Sequence, residues 1–172
     1  MAHTLLDEAL EAWAYARTSL LAEAEIVPDG NYGFRPHPES RTFGELLTHI
    51  LESGCVMVGE LSRPDGDFTR APYETLIAEH ASGLSRDTSP PALRAELERT
   101  LQDGVARLRE AGEIHMLQTI RQFNGERATR LAWMHHAIAH EEYHRGQIAL
   151  YARMQDIVPA LTRAIHGESG EG

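Results

Sequence analysis

Residues 135–151 read HHAIAHEEYHRGQIALY, a stretch without proline that carries four of the chain's ten histidines. His140 and His144 are four apart, so on a helix their rings stack one turn above the other and can share an ion. Followed forward by heptads, the same face takes in Gln147 and Tyr151; followed back, it takes in His136 and Trp133. A seam that should be plain apolar core therefore carries several polar groups at its middle. Burying such groups without partners costs roughly 1–3 kcal/mol each, so the interior needs a reason for them. A bound metal ion is the simplest one.

Outward from this stretch the chain reads as helices joined by loops. Residues 4–25 repeat Leu6, Ala9, Trp13, Ala16 and Leu20 at helical spacing, with Thr4 and Asp7 placed as a capping box. Pro28-Asp29-Gly30 stops that helix, and a Gly-, Pro- and Asn-rich loop runs to about Ser40. Thr42 with Glu45 caps a second helix over 43–62, which buries Phe43, Leu46, Ile50 and Met57 and carries His49 beside that stripe. Gly54 and Gly59 weaken it unless a neighbouring helix comes close. A long connection follows, with a short helix over 72–83. Ser89-Pro90 then opens a third long helix marked by Leu93, Leu97, Leu101, Val105 and Leu108 and closed by Gly112. The helical period fades over 114–128, where Asn124-Gly125 signals a turn and a small hairpin. Thr129 opens the last long helix, which runs to about Gln155. A small, acidic, mobile tail is expected from about 163 to 172. The expectation is an all-α chain, a four-helix bundle in one domain (1–172) with a long connection between helices 2 and 3.

Composition narrows the function classes. A net charge of −10 argues against nucleic acid or an anionic membrane as partner. No apolar run approaches the roughly 18 residues of a membrane helix. The N-terminus has acids where a signal peptide has lysines. Cys55 is the single cysteine, so no internal disulfide forms, which fits a cytoplasmic protein. Cys55 itself reads as a small buried hydrophobe.

Two histidines at i, i+4 supply two ligands, and an ion such as zinc wants at least one more. His49 offers it, mid-helix at the edge of an apolar stripe. His3 and His166 are terminal, His37 and His115 lie in loops, His80 is in the connecting helix, and His135 points off the seam. His136, on the seam, is a ligand or a supporting donor.

RTFGELLTHI (41–50), followed about ninety residues later by HEEYHRGQIALYARM (140–154), resembles the DinB/YfiT-like superfamily. The resemblance implies a four-helix bundle of unusual handedness, often dimeric. It also implies one divalent ion on His49, His140 and His144, zinc or nickel being the leading choices. Some members of that superfamily are enzymes that use bacillithiol, mycothiol or glutathione. The expected function is thus a metal-dependent enzyme acting on a small molecule with a small thiol as cosubstrate, of S-transferase or isomerase type. The alternative is a non-catalytic, metal-stabilised stress-response or binding bundle. A third reading is a metal-dependent hydrolase, because His140-Glu141-Glu142-Tyr143-His144 also satisfies H-E-x-x-H. That reading needs Glu141 as general base and a downstream ligand, and the metzincin extension is absent because Gln147 stands where it requires glycine. Glu141 and His136 are the candidate catalytic groups; Gln147 and Tyr151 are candidates to orient a ligand ring or meet substrate. Glu141 can otherwise pair with Arg145, and Gly146 can admit a neighbouring backbone.

Overall fold

Caps decide where the long helices begin. The computed structural model describes residues 3–167. Helix α1, Leu5–Glu25, starts where Thr4 Oγ1 accepts from the Asp7 amide (3.1 Å) and the Asp7 carboxylate accepts from the Thr4 amide (3.2 Å). Helix α2, Phe43–Ser62, repeats the device with Thr42 and Glu45. Helix α3, Tyr73–His80, is shorter than its sequence signal. Helix α4, Pro90–Ala111, begins at Ser89, whose hydroxyl makes no capping bond; the preset φ of Pro90 starts the helix instead. A single turn, α5 (Glu113–Met116), leads into β1 (Thr119–Arg121) and β2 (Arg127–Thr129), an antiparallel hairpin with Gly125 at φ +83° in its turn. Helix α6, Arg130–Arg153, is capped by Thr129, whose hydroxyl accepts from the Ala132 amide at 3.0 Å.

Helix α7, Ala160–His166, occupies part of what the sequence presents as a loose tail. Its first amides, of Ala160 and Leu161, donate to the carboxylate of Glu23 at 2.8 and 3.2 Å. Glu23 is buried on α1, so an acid from the opposite end of the chain docks this helix. Residues 168–172, the rest of the expected tail, lie outside the described residues.

The four long helices form a bundle in which α1 and α2 each pack on both α4 and α6. Consecutive helices α1 and α2 therefore stand diagonally. Two- to five-residue loops would force them to be antiparallel neighbours, and the long 26–42 connection lifts that constraint. Among the described residues no helix is long and apolar enough to cross a membrane.

The core is divided. One apolar cluster gathers Leu20, Phe43, Leu47, Ile50, Leu97 and Ile148; another gathers Leu10, Val56, Leu61, Leu108, Leu131 and Met134. On α1 the buried polar residue between them is Arg17, and on α6 they are Glu141 and His144. A polar layer thus crosses the waist of the bundle. Gly54 and Gly59 make room for side chains, not for a neighbouring helix backbone. A Cβ on Gly54 would lie 3.1 Å from Arg17 Nη2, and one on Gly59 would overlap the ring of His80.

Candidate metal centre

Three imidazoles meet in the polar waist. His49 comes from the middle of α2; His140 and His144 come from successive turns of α6. Ring centroids lie 4.4 Å apart for His140 and His144, 4.8 Å for His49 and His144, and 5.2 Å for His49 and His140. One nitrogen of each ring lies within 4.8 Å of one on each of the others. The Nε2 atoms of His140 and His144 are 3.0 Å apart. Two nitrogens on one tetrahedral zinc, each 2.0–2.1 Å from it, would stand about 3.3 Å apart. The two rings are within a few tenths of an ångström of that separation.

Protonation favours the same use. Burial is the main cause that pushes His49 down to about 4, assisted by the charge of Arg41 and the neighbouring rings. His140 is pushed down to about 4, again chiefly by burial and then by His144. His144 is lowered by burial, which outweighs its hydrogen bond to Gln147. All three rings are therefore neutral near pH 7, the form that binds a metal. Gln147 Oε1 can only accept, so at 2.8 Å it takes the Nδ1 proton of His144. That leaves Nε2 of His144 as a bare lone pair turned toward His140. Fixing a ligand ring through its far nitrogen is how carbonyl partners support metal-bound histidines. The donor set, three neutral nitrogens, fits a borderline divalent ion such as zinc or nickel and leaves a tetrahedral position open.

The remaining sequence candidates go elsewhere. Glu141 is 3% exposed and bonds to α1, not to the triad. Its carboxylate accepts from Arg17 Nε at 2.9 Å, Arg17 Nη2 at 2.5 Å and Trp13 Nε1 at 2.8 Å. Both oxygens are engaged with α1, so Glu141 ties the bundle together and is not presented as a general base. It does not pair with Arg145, which bonds Glu142 instead (2.9 Å). Tyr151 turns its hydroxyl to the backbone oxygen of Arg41 at 3.3 Å, two turns beyond His144, and makes no bond to a triad ring. His136 is exposed and stacks on Trp133 with 4.4 Å between centroids, outside the triad. Gly146 has nothing within 4 Å of where its Cβ would be, so no backbone approaches it.

Two clefts meet at His49. One, about 270 Å³, is walled mainly by Met57, Phe68, Tyr73, Phe123 and Trp133 and reaches His136 and His140. The other, about 650 Å³ and more open, is polar and of mixed charge, with Arg35 and Arg41 beside Glu39, Glu45 and Glu52 and hydroxyls from Ser40, Thr42 and Thr48. Of the aromatic wall only Trp133 stands out in the sequence, as part of the seam. Phe68, Tyr73 and Phe123 lie in or beside connections, where no period marks them. A second cluster, Glu60, Glu79 and His80, also has ligand-like spacing. Arg70 sits among its groups, bonded to both carboxylates, and His80 Nε2 lies 2.6 Å from Glu60. A guanidinium supplies the positive charge there, and the cluster is an ion-pair network.

Comparison with known proteins agrees with this architecture. The family model of the DinB superfamily matches residues 12–148. A DinB-like protein from Bacillus subtilis has the same fold at 21% identity and a TM-score of 0.66, covering 87% of this chain and 92% of its own. YfiT from Bacillus subtilis, described as a probable metal-dependent hydrolase with an unusual four-helix bundle topology, aligns at 15% identity and TM-score 0.66 over 88% of each chain. A mycothiol-dependent maleylpyruvate isomerase aligns at 15% identity and TM-score 0.64 over 83% of this chain, which spans 60% of that enzyme. No curated protein matches the chain by sequence.

Proposed function

This chain belongs to the DinB superfamily, and from its site we propose that it is a metal-dependent enzyme that joins a small thiol to a small electrophile. The observation that carries the reading is the convergence of three neutral imidazoles at the junction of two clefts of opposite character. His49, His140 and His144 hold one divalent ion, zinc or nickel, with Gln147 fixing the ring of His144. When bound, the ion supplies a Lewis acid that favours the anionic form of a thiol at neutral pH. The polar cleft, with Arg35, Arg41 and hydroxyl groups from Ser40, Thr42 and Thr48, receives the polar body of a bacillithiol-, mycothiol- or glutathione-like molecule. A C–S bond forms: in substitution the leaving group departs with its bonding electrons and the thiol proton passes to solvent, and in addition to a conjugated alkene the π electron pair moves to the α-carbon, which takes up a proton in place of the one the thiol released. The fold shared with a mycothiol-dependent isomerase supports this reading. A peptidase route through H-E-x-x-H has less support, because Arg17 and Trp13 occupy the Glu141 carboxylate. We place the protein in the reducing cytoplasm, as a homodimer that meets neither membrane nor nucleic acid.

The test is elemental analysis of protein purified without added metal. The zinc- or nickel-loaded protein is then given 1-chloro-2,4-dinitrobenzene and each of the three thiols, with casein as a parallel substrate. Thiol consumption that disappears in His49→Ala is the expected result. Casein cleavage abolished by Glu141→Gln, with no thiol consumed, would establish the hydrolase instead. Metal binding with both assays silent would leave a non-catalytic metal-stabilised bundle.

A further inference from the structure

The aromatic cleft is assembled from three separate parts of the chain. The Phe68 amide donates to the backbone oxygen of Arg121 (2.9 Å), and the Arg121 amide donates to that of Gly66 (3.0 Å). These bonds tie the 63–72 connection to β1 and bring Phe68 to 4.9 Å from Phe123, centroid to centroid. Both rings pack on Trp133, at 5.3 and 5.8 Å, and Tyr73 meets Phe123 at 5.7 Å. Phe123 is nonetheless 44% exposed. An exposed ring packed on buried and half-buried rings around a concavity is a usual lining of a small-molecule site.

Two hydrogen-bond donors mark what the ligand carries. The indole N–H of Trp133, a cleft-lining residue, is buried and has no acceptor among the described residues. Ser53, also in the lining and one turn beyond His49 on α2, accepts from the Tyr73 hydroxyl at 3.0 Å. Its own hydroxyl hydrogen has no acceptor among the described residues. The cleft thus offers aromatic faces and spare N–H and O–H groups. Its one carboxylate, Glu141, is already neutralised by Arg17. The lining holds no unpaired carboxylate to neutralise a cation and no arginine or lysine to neutralise an anion, whereas an uncharged planar molecule with an acceptor oxygen meets both the aromatic faces and the spare donors.

We propose that this cleft binds the electrophile, and that the electrophile is an uncharged aromatic molecule with a conjugated carbonyl group, its oxygen taking the free donors. The assignment of this ligand as substrate rests on the thiol-enzyme reading; binding does not. Calorimetric titration with benzylideneacetone, β-methylstyrene and fumarate separates the two. Saturable binding of the ketone to metal-free protein is expected, with fumarate at least tenfold weaker. Phe123→Ala, at an exposed position, should weaken the ketone about tenfold. Ser53→Ala should weaken the ketone several-fold and leave β-methylstyrene, which has no oxygen, unchanged. Fumarate binding as well as the ketone, unchanged affinity in Phe123→Ala, or no saturable binding would overturn the proposal even if thiol is consumed in the loaded enzyme. Ketone binding without thiol turnover would uphold the cleft and remove the enzyme reading.

Discussion

At the scale of single residues, neighbours in sequence have opposite jobs. Glu141 is buried against Arg17 and Trp13, whereas Glu142 meets Arg145 near the surface. Removing one member of a buried, hydrogen-bonded ion pair leaves its partner charged in the interior, which costs about 3–5 kcal/mol. A surface pair contributes about 0–1 kcal/mol. Glu141→Ala should therefore lower the urea-unfolding free energy by several kcal/mol, and Glu142→Ala should barely change it; equal losses would contradict the assignment. The histidines add a pH dependence of their own. His49 and His140 are lowered to about 4 in the fold, against an ordinary value of 6.5. Between those values the unfolded chain holds more protons than the folded one, so stability falls as pH drops from 6.5 toward 4. Metal-free protein should lose unfolding free energy across that window, and His140→Ala should lose less. Parallel curves for parent and variant would show that the ring does not titrate as its burial requires.

At the scale of elements, Gly146 stands on an exposed part of α6 with empty space around it. Alanine there improves helix propensity without a clash, so Gly146→Ala should raise stability by about 0.5–1 kcal/mol, seen as a higher melting temperature. A loss would reveal a contact that the fold does not show. The same helix illustrates what sequence makes legible. Helices α1 and α2 are readable because each announces its start with a threonine cap and then repeats its apolar face, and α6 because Thr129 caps a proline-free run in which His140 and His144 stand one turn apart. The hairpin is readable from Asn124-Gly125. Helix α7 is not, because its docking depends on Glu23, about 137 positions away, and one acid among the five of α1 carries no sign of that partner. The site divides in the same way. His140 and His144 are paired by local spacing, and His49 joins them through its place in α2 and the family pattern. The role of Glu141 hides in a motif that local letters assign to catalysis, since Arg17 lies 124 positions off. The aromatic wall is assembled by long-range bonds between two connections, for which no periodicity exists.

At the scale of the whole molecule, the polar layer sets where stability can be gained. Two apolar clusters fill the ends of the bundle, while the waist between them is built from Arg17, Glu141 and the histidine triad. The ion pair is internally satisfied by Trp13, Thr100 and the Leu97 carbonyl. The triad is different: three neutral rings crowd nitrogen lone pairs toward one point, and the 3.0 Å contact between His140 and His144 can be bridged by at most one proton. A divalent ion would satisfy all three at once, and only in the folded chain, because unfolding separates His49 from α6 by about ninety residues. Ligand binding confined to the native state adds RT ln(1 + [L]/Kd), about 2.7 kcal/mol at a hundredfold excess over Kd. Because α1, α2, α4 and α6 all pack around the waist, that gain should appear in global unfolding. Zinc or nickel should therefore raise the melting temperature by several degrees in calorimetry, and chelator should reverse the rise. His49→Ala and His140→Ala should each abolish most of it, whereas His135→Ala, at an exposed position off the seam, should keep it whole. An equal rise in the parent and both triad variants would place the ion elsewhere on the surface.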